Sequence, residues 1–122
     1  MRKISLIPYI VMEGPMQRIP QPDGTIKDVK LPDTMYEVKS SLANLLFIPD
    51  LHLDIRSAIE HDRIARKIEA AKDEVVLEEV EYARIITAVD LFKEVSRKDL
   101  EFFSRIRDAP ELDANTPTKG GN

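Results

Sequence analysis

A chain of 122 residues, 43% hydrophobic and 33% charged, has the length and balance of one soluble globular domain with a tail rather than two cores. The absence of cysteine excludes disulfides, thiolate metal sites and cysteine nucleophiles. A net charge of −4 argues against a dedicated nucleic-acid binder, which carries a basic footprint, and no apolar run approaches the roughly 20 residues that span a bilayer.

The first residues, "MRKISLIPYIVMEGP", place two basic residues before an apolar stretch, as a secretory leader does. Ser5 and Pro8 interrupt that stretch and no small-residue cleavage site follows, so a strand over 3–12 is the better reading. Both of its faces are partly apolar, which predicts cover on both sides, and Pro8 places it at a sheet edge or breaks it. "EGPMQRIPQPDGT" reads as a proline-rich connection. Its "PDG" is a turn with a mechanism: Pro22 presets φ, Asp23 bonds local backbone and Gly24 accepts positive φ. "TIKDVKL" then alternates Ile26, Val29 and Leu31 with Lys and Asp, a second short strand ended by Pro32. Two strands alone are marginal in water, so this β element must lie on the helices or on another chain.

From residue 36 the period becomes helical. "YEVKSSLANLLF" places Val38, Leu42, Leu45 and Leu46 on one face and closes at Pro49. Asp54 is a ready N-cap for a helix over 55–71, "VVL" at 75–77 can pair as a brief strand, and a helix follows over 78–93. "SRKD" at 96–99 starts a last helix that reaches Asp108, with Pro110 just beyond. The expected architecture is α+β and mainly helical: an N-terminal β-hairpin or arm over 1–35, a core of about four helices over 36–109, and a flexible tail over 110–122.

The helix over 78–93 is apolar on two sides. Tyr82, Ile85, Ile86, Val89 and Phe92 form one arc, and Val80, Thr87 and Leu91 a narrower stripe nearly opposite. Such a helix is sandwiched within the chain or meets a second copy of it. Phe102 and Phe103 are adjacent and cannot both point fully inward. Val80, Thr87, Leu91, Phe102 and Phe103 are therefore the candidate interface residues.

"SAIEHDRIARKIEAA", Ser57 to Ala71, is the stretch closest to a chemical site. Its His61 and Asp62, with His52 and Asp54 upstream, could offer four donors to a first-row metal, but no established ligand spacing is present and a hydrogen-bonded structural histidine is the simpler expectation. Opposite them, Arg56, Arg63 and Lys67, flanked by Arg66, form a basic stripe. Glu60 lies among these residues, so the stripe reads first as a salt-bridged face and second as an anion-binding site. The five acids of "DEVVLEEVE" fit a helix start, where carboxylates favour the positive end of the dipole. With four glycines and no glycine-rich loop before a helix, no nucleotide or cofactor motif is present, and serine-nucleophile motifs are missing too. The chain is not expected to be an enzyme or to hold a metal or cofactor.

"YEVKSSLANLLFIPDL", "EHDRIARKIEAA", "VVLEEVEYARIITAV" and "RIRDAPEL" together resemble small uncharacterised proteins of tailed bacteriophages, over residues 36–112. That resemblance implies a phage-encoded accessory protein of the host cytoplasm or the virion whose business is protein contacts, and it carries over no functional residue. The expected partners are the chain itself, as a homo-oligomer, and another phage or host protein, with no membrane contact and no nucleic acid. The alternative is an oligomer that sequesters an anionic ligand such as a nucleotide through Arg56, Arg63, Arg66 and Lys67.

Overall fold

The computed structural model describes residues 1–112 and has an α+β architecture in which N-terminal strands precede four helices. Two of the strands, β1 (Arg2–Ser5) and β6 (Glu74–Leu77), pair antiparallel with Ile4 opposite Val75. Alternation turns Ile4, Val75 and Leu77 inward, where all three are buried. The other edge of β1 takes residues 110–112: Lys3 N–H donates to the Pro110 carbonyl at 3.2 Å and the Met1 amine to the Leu112 carbonyl at 3.0 Å. The first strand thus belongs to the core rather than to the arm in which the sequence had placed it. Pro8 breaks the 3–12 stretch, as its missing donor requires.

Beyond the break a β ribbon leaves the core. β2 (Tyr9–Met12) pairs with β5 (Thr34–Tyr36), and β3 (Met16–Pro20) with β4 (Ile26–Lys30). A hairpin of the two expected strands would pair 26–30 with the first strand. The partner is instead a strand inside the proline-rich connection, because Pro15 and Pro20 fall before and at the end of β3, on a strand whose outer edge needs no donors. At the tip Gly24 has φ +89°, Gly24 N–H donates to the Gln21 carbonyl, and Asp23 accepts from the backbone and hydroxyl of Thr25. The turn reads as "PDG" predicts. At the elbow between the two ladders, the Gly14 N–H donates to the Asp33 carboxylate at 2.8 Å. A Cβ on Gly14 would lie 1.8 Å from the Leu31 carbonyl oxygen, so only glycine permits this approach.

The helices are α1 (Val38–Leu45), α2 (Ile55–Ala70), α3 (Glu79–Val89) and α4 (Leu100–Arg107). Asp54 caps α2, accepting from Ser57 N–H at 2.8 Å, and Glu81 accepts from the Glu78 N–H at the start of α3. α3 ends four residues earlier than its apolar period suggests: the last turns tighten to i→i−3 bonds, and Phe92 swings onto Phe103, centroids 5.2 Å apart. Leu42 and Leu46, Ile68, Ile85 and Ile106 are fully buried together with Ile4 and Leu77. Each such side chain contributes about 1.5–3 kcal/mol of burial. The segment expected as a tail begins as the strand-like pairing at 110–112, and the rest of it lies outside the described residues.

Candidate functional site

Most of the groups singled out for chemistry on and just before α2 are engaged by other residues of the chain. His61 is 3% exposed, and its Nδ1 stands 2.7 Å from the Leu46 carbonyl. A carbonyl only accepts, so Nδ1 carries the proton and the ring ties α2 to the end of α1. Asp62 is committed to Arg66 at 2.8 Å, Asp54 to its cap, and His52 sits exposed in the left-handed region at φ 48°. No group of three or more metal-ligating side chains forms among the described residues.

Along the basic stripe, Arg63 pairs with Glu60 and Lys67 reaches Glu81 on α3, each at 2.8 Å. With the Arg66–Asp62 pair, three of the four cations meet a carboxylate, and only Arg56 makes no ion pair among the described residues. The arrangement is a salt-bridged face whose positive field is largely cancelled locally.

Of the candidate interface residues, Val80 is 71% and Leu91 38% exposed, and Thr87 lies exposed between them with its hydroxyl donating back to the Ala83 carbonyl. Val80 and Thr87 on α3, and Leu91 just beyond it, are left open by the other described residues. Phe102 is a correction: at 3% exposure it is a core residue, because α4 turns it onto Tyr36 while its neighbour Phe103 is only half-buried against Phe92. Further open apolar surface lies at Ile55, 82% exposed, and at Ile59 and Phe47.

A further open apolar feature is the ribbon. Between residues 7 and 37 not one side chain is buried. In the outer ladder Met16, Pro20 and Ile26 share one face with the Arg18–Asp28 pair, and Ile19 and Val29 share the other. Met16 and Ile26 are 61% and 57% exposed, and among the described residues no other helix or strand packs closely on this ladder. Residues 16–20 were missed as a strand because two prolines bracket them; the signal that could have found them is Met16 and Ile19 facing Lys27 to Lys30 across the "PDG" turn.

An aromatic cluster holds the root of this arm to the helices. Tyr9 and Tyr36 stack at 4.9 Å, Tyr36 meets Phe102 at 5.3 Å, and Phe102, Phe103 and Phe92 follow. Five of the chain's seven aromatic residues are in this one run. The Tyr9 hydroxyl donates to the Lys98 carbonyl at 2.7 Å and accepts from Phe102 N–H at 3.1 Å. Burial raises the Tyr36 hydroxyl far above the ordinary phenol value, and donation to the Asp99 carboxylate raises it further. Burial pushes against the charged form of Asp99, but hydrogen bonds from Ser96 and Tyr36 win and hold its carboxyl below the usual range.

Comparison with family models, with curated proteins and with solved structures gives no match to this chain. No helix among the described residues is long and apolar enough to cross a membrane.

Proposed function

We propose that this is a non-catalytic protein that self-associates and docks on another macromolecule through its β arm, as an accessory or assembly protein of a tailed phage would. The observation that supports this reading is the outer ladder, two strands with no buried side chain and with apolar residues on both faces. A two-stranded ribbon is marginal in water, and both of its edges present unpaired N–H and C=O groups. Covering it with another chain removes both deficits at once, by burying Met16, Ile19 and Ile26 and extending the ladder. Val80 on α3 and Leu91 in the turn that follows it are exposed and offer a second apolar contact. The acid–base clusters on α2 are used up in pairs and caps, which favours contact over catalysis. The phage setting, in the host cytoplasm or the virion, and the phage or host partner rest on the sequence resemblance.

Sedimentation of the full chain across a dilution series tests the proposal. The expected result is a closed oligomer at micromolar concentration that becomes a folded monomer in an Ile19→Asp, Ile26→Asp double variant. A monomer at every concentration, with no phage or host protein retained by the immobilised chain but released by the double variant, overturns it.

A further inference from the structure

Beside the arm root an open cavity of about 250 Å³ lies between β5, α1, α4 and the segment that follows α3. Tyr36, Phe92, Phe102 and Phe103 form aromatic walls, and Asp99 and Asn44 supply its polar rim. Among Tyr36, Phe102, Phe103 and Phe92 the touching rings are tilted by 35–60° to one another, while Tyr36 also lies flat against Tyr9. Phe92 remains 42% exposed, on a chain that otherwise buries its large aromatics near this point. The Asn44 side-chain amide makes no hydrogen bond to the other described residues, and Asp99 keeps lone pairs beyond those used by Ser96 and Tyr36. A cavity lined by aromatic rings and one ionised carboxylate suits an organic cation.

We infer that this cavity binds a guanidinium group, as carried by an arginine side chain or by a free arginine-like compound. Three features select it over other cations. A planar, weakly hydrated guanidinium stacks on ring faces while its edge donates N–H groups. The Asp99 carboxylate accepts such a fork in charge-assisted bonds, and the Asn44 carbonyl accepts a further donor. A quaternary ammonium has no N–H for either oxygen, and a primary ammonium is more strongly hydrated and does not stack. The site stands apart from the arm's outer ladder and does not depend on the proposed assembly.

The test is an NMR titration of the full chain with N-acetyl-arginine amide, with N-acetyl-lysine amide and choline as comparators. The expected result is saturable shifts confined to Asn44, Phe92, Asp99 and Phe103, in the millimolar range of about 1–10 mM typical of a single anchoring group. Asp99→Asn should weaken binding at least about tenfold, the loss of one charge-assisted fork. Phe92→Ala, at a half-open position, provides the same reading should Asp99→Asn disturb the fold. A peptide presenting one arginine that binds tighter than the amide identifies a protein partner as the source, and equal binding identifies a free guanidinium compound. No saturable shift near 10 mM, full affinity in both variants, or choline binding as well as the arginine amide overturns the inference.

Discussion

Ile85 on α3 and Ile26 on the arm are the same side chain in opposite circumstances: one is 0% exposed, the other 57%. The core gathers its isoleucines and leucines around β1 and β6 from all four helices, and its polar groups are satisfied, with no buried side-chain nitrogen or oxygen lacking a partner among the described residues. The arm repeats none of this. Its strands are held by their mutual ladder, by the "PDG" turn and by the Gly14–Asp33 clasp, which fix its shape without removing apolar surface from water. Beyond the Tyr9–Tyr36 root that packs on the helices, the outer ladder is shaped by local geometry and is well placed to be finished by something outside the chain.

The largest effect should come from the core. Leu42→Ala, at a site with no exposure, is expected to cost about 2–5 kcal/mol of stability in urea unfolding. Ile26→Ala should change monomer stability by less than about 0.5 kcal/mol, as at other surface positions, while weakening assembly. Equal losses in the two would break the contrast.

Gly14→Ala sharpens it. The new Cβ would collide with the Leu31 carbonyl, and overpacking of this kind costs about 1–3 kcal/mol. That loss should fall on the arm: amide exchange over 16–30 accelerates while the unfolding midpoint of the core scarcely moves.

The joint between the regions titrates. The folded pKa of Asp99 lies below the ordinary value of about 3.9, so its hydrogen bonds from Ser96 and Tyr36 contribute in full above that value and are lost as the pH falls through the folded one. At the other extreme, Tyr36 resists ionising when folded, so its contribution is lost as the pH rises above about 10. Urea midpoints against pH should fall at both ends, and Asp99→Asn should flatten the acid limb. An unaltered acid limb would detach Asp99 from the joint. Smallest of all, Arg63→Ala removes one exposed pair with Glu60 and should shift stability by no more than about 0.5 kcal/mol.

The helical core was legible because caps and period agree there. Asp54, the run from Ile55 and the apolar spacing mark α2 almost to the residue, and "VVL" at 75–77 gives the strand that β1 needs. Two things escaped. The pairing of β1 with β6 spans more than 70 residues, and no local signal distinguishes it from a hairpin with the nearer strand. The strand over 16–20 hid behind its prolines, which forbid a central position and leave an edge open. On α2, the sequence placed Glu60 among the cations and so favoured a salt-bridged face, whereas the reach of Lys67 to Glu81 on α3 is a matter of contact geometry. Helical spacing set Val80 and Leu91 apart from the inward arc, and both are exposed, but the helix ends before Leu91; the burial of Phe102 depended on which face α4 turned to Tyr36.

Amide hydrogen exchange of residues 16–30, followed as protein concentration is raised, tests most directly whether the arm is built to be covered. Protection that grows with concentration, and vanishes in the Ile19→Asp, Ile26→Asp variant, is the predicted result. Protection that is the same at every concentration and in both proteins would mean the ribbon is complete by itself, and would contradict the account.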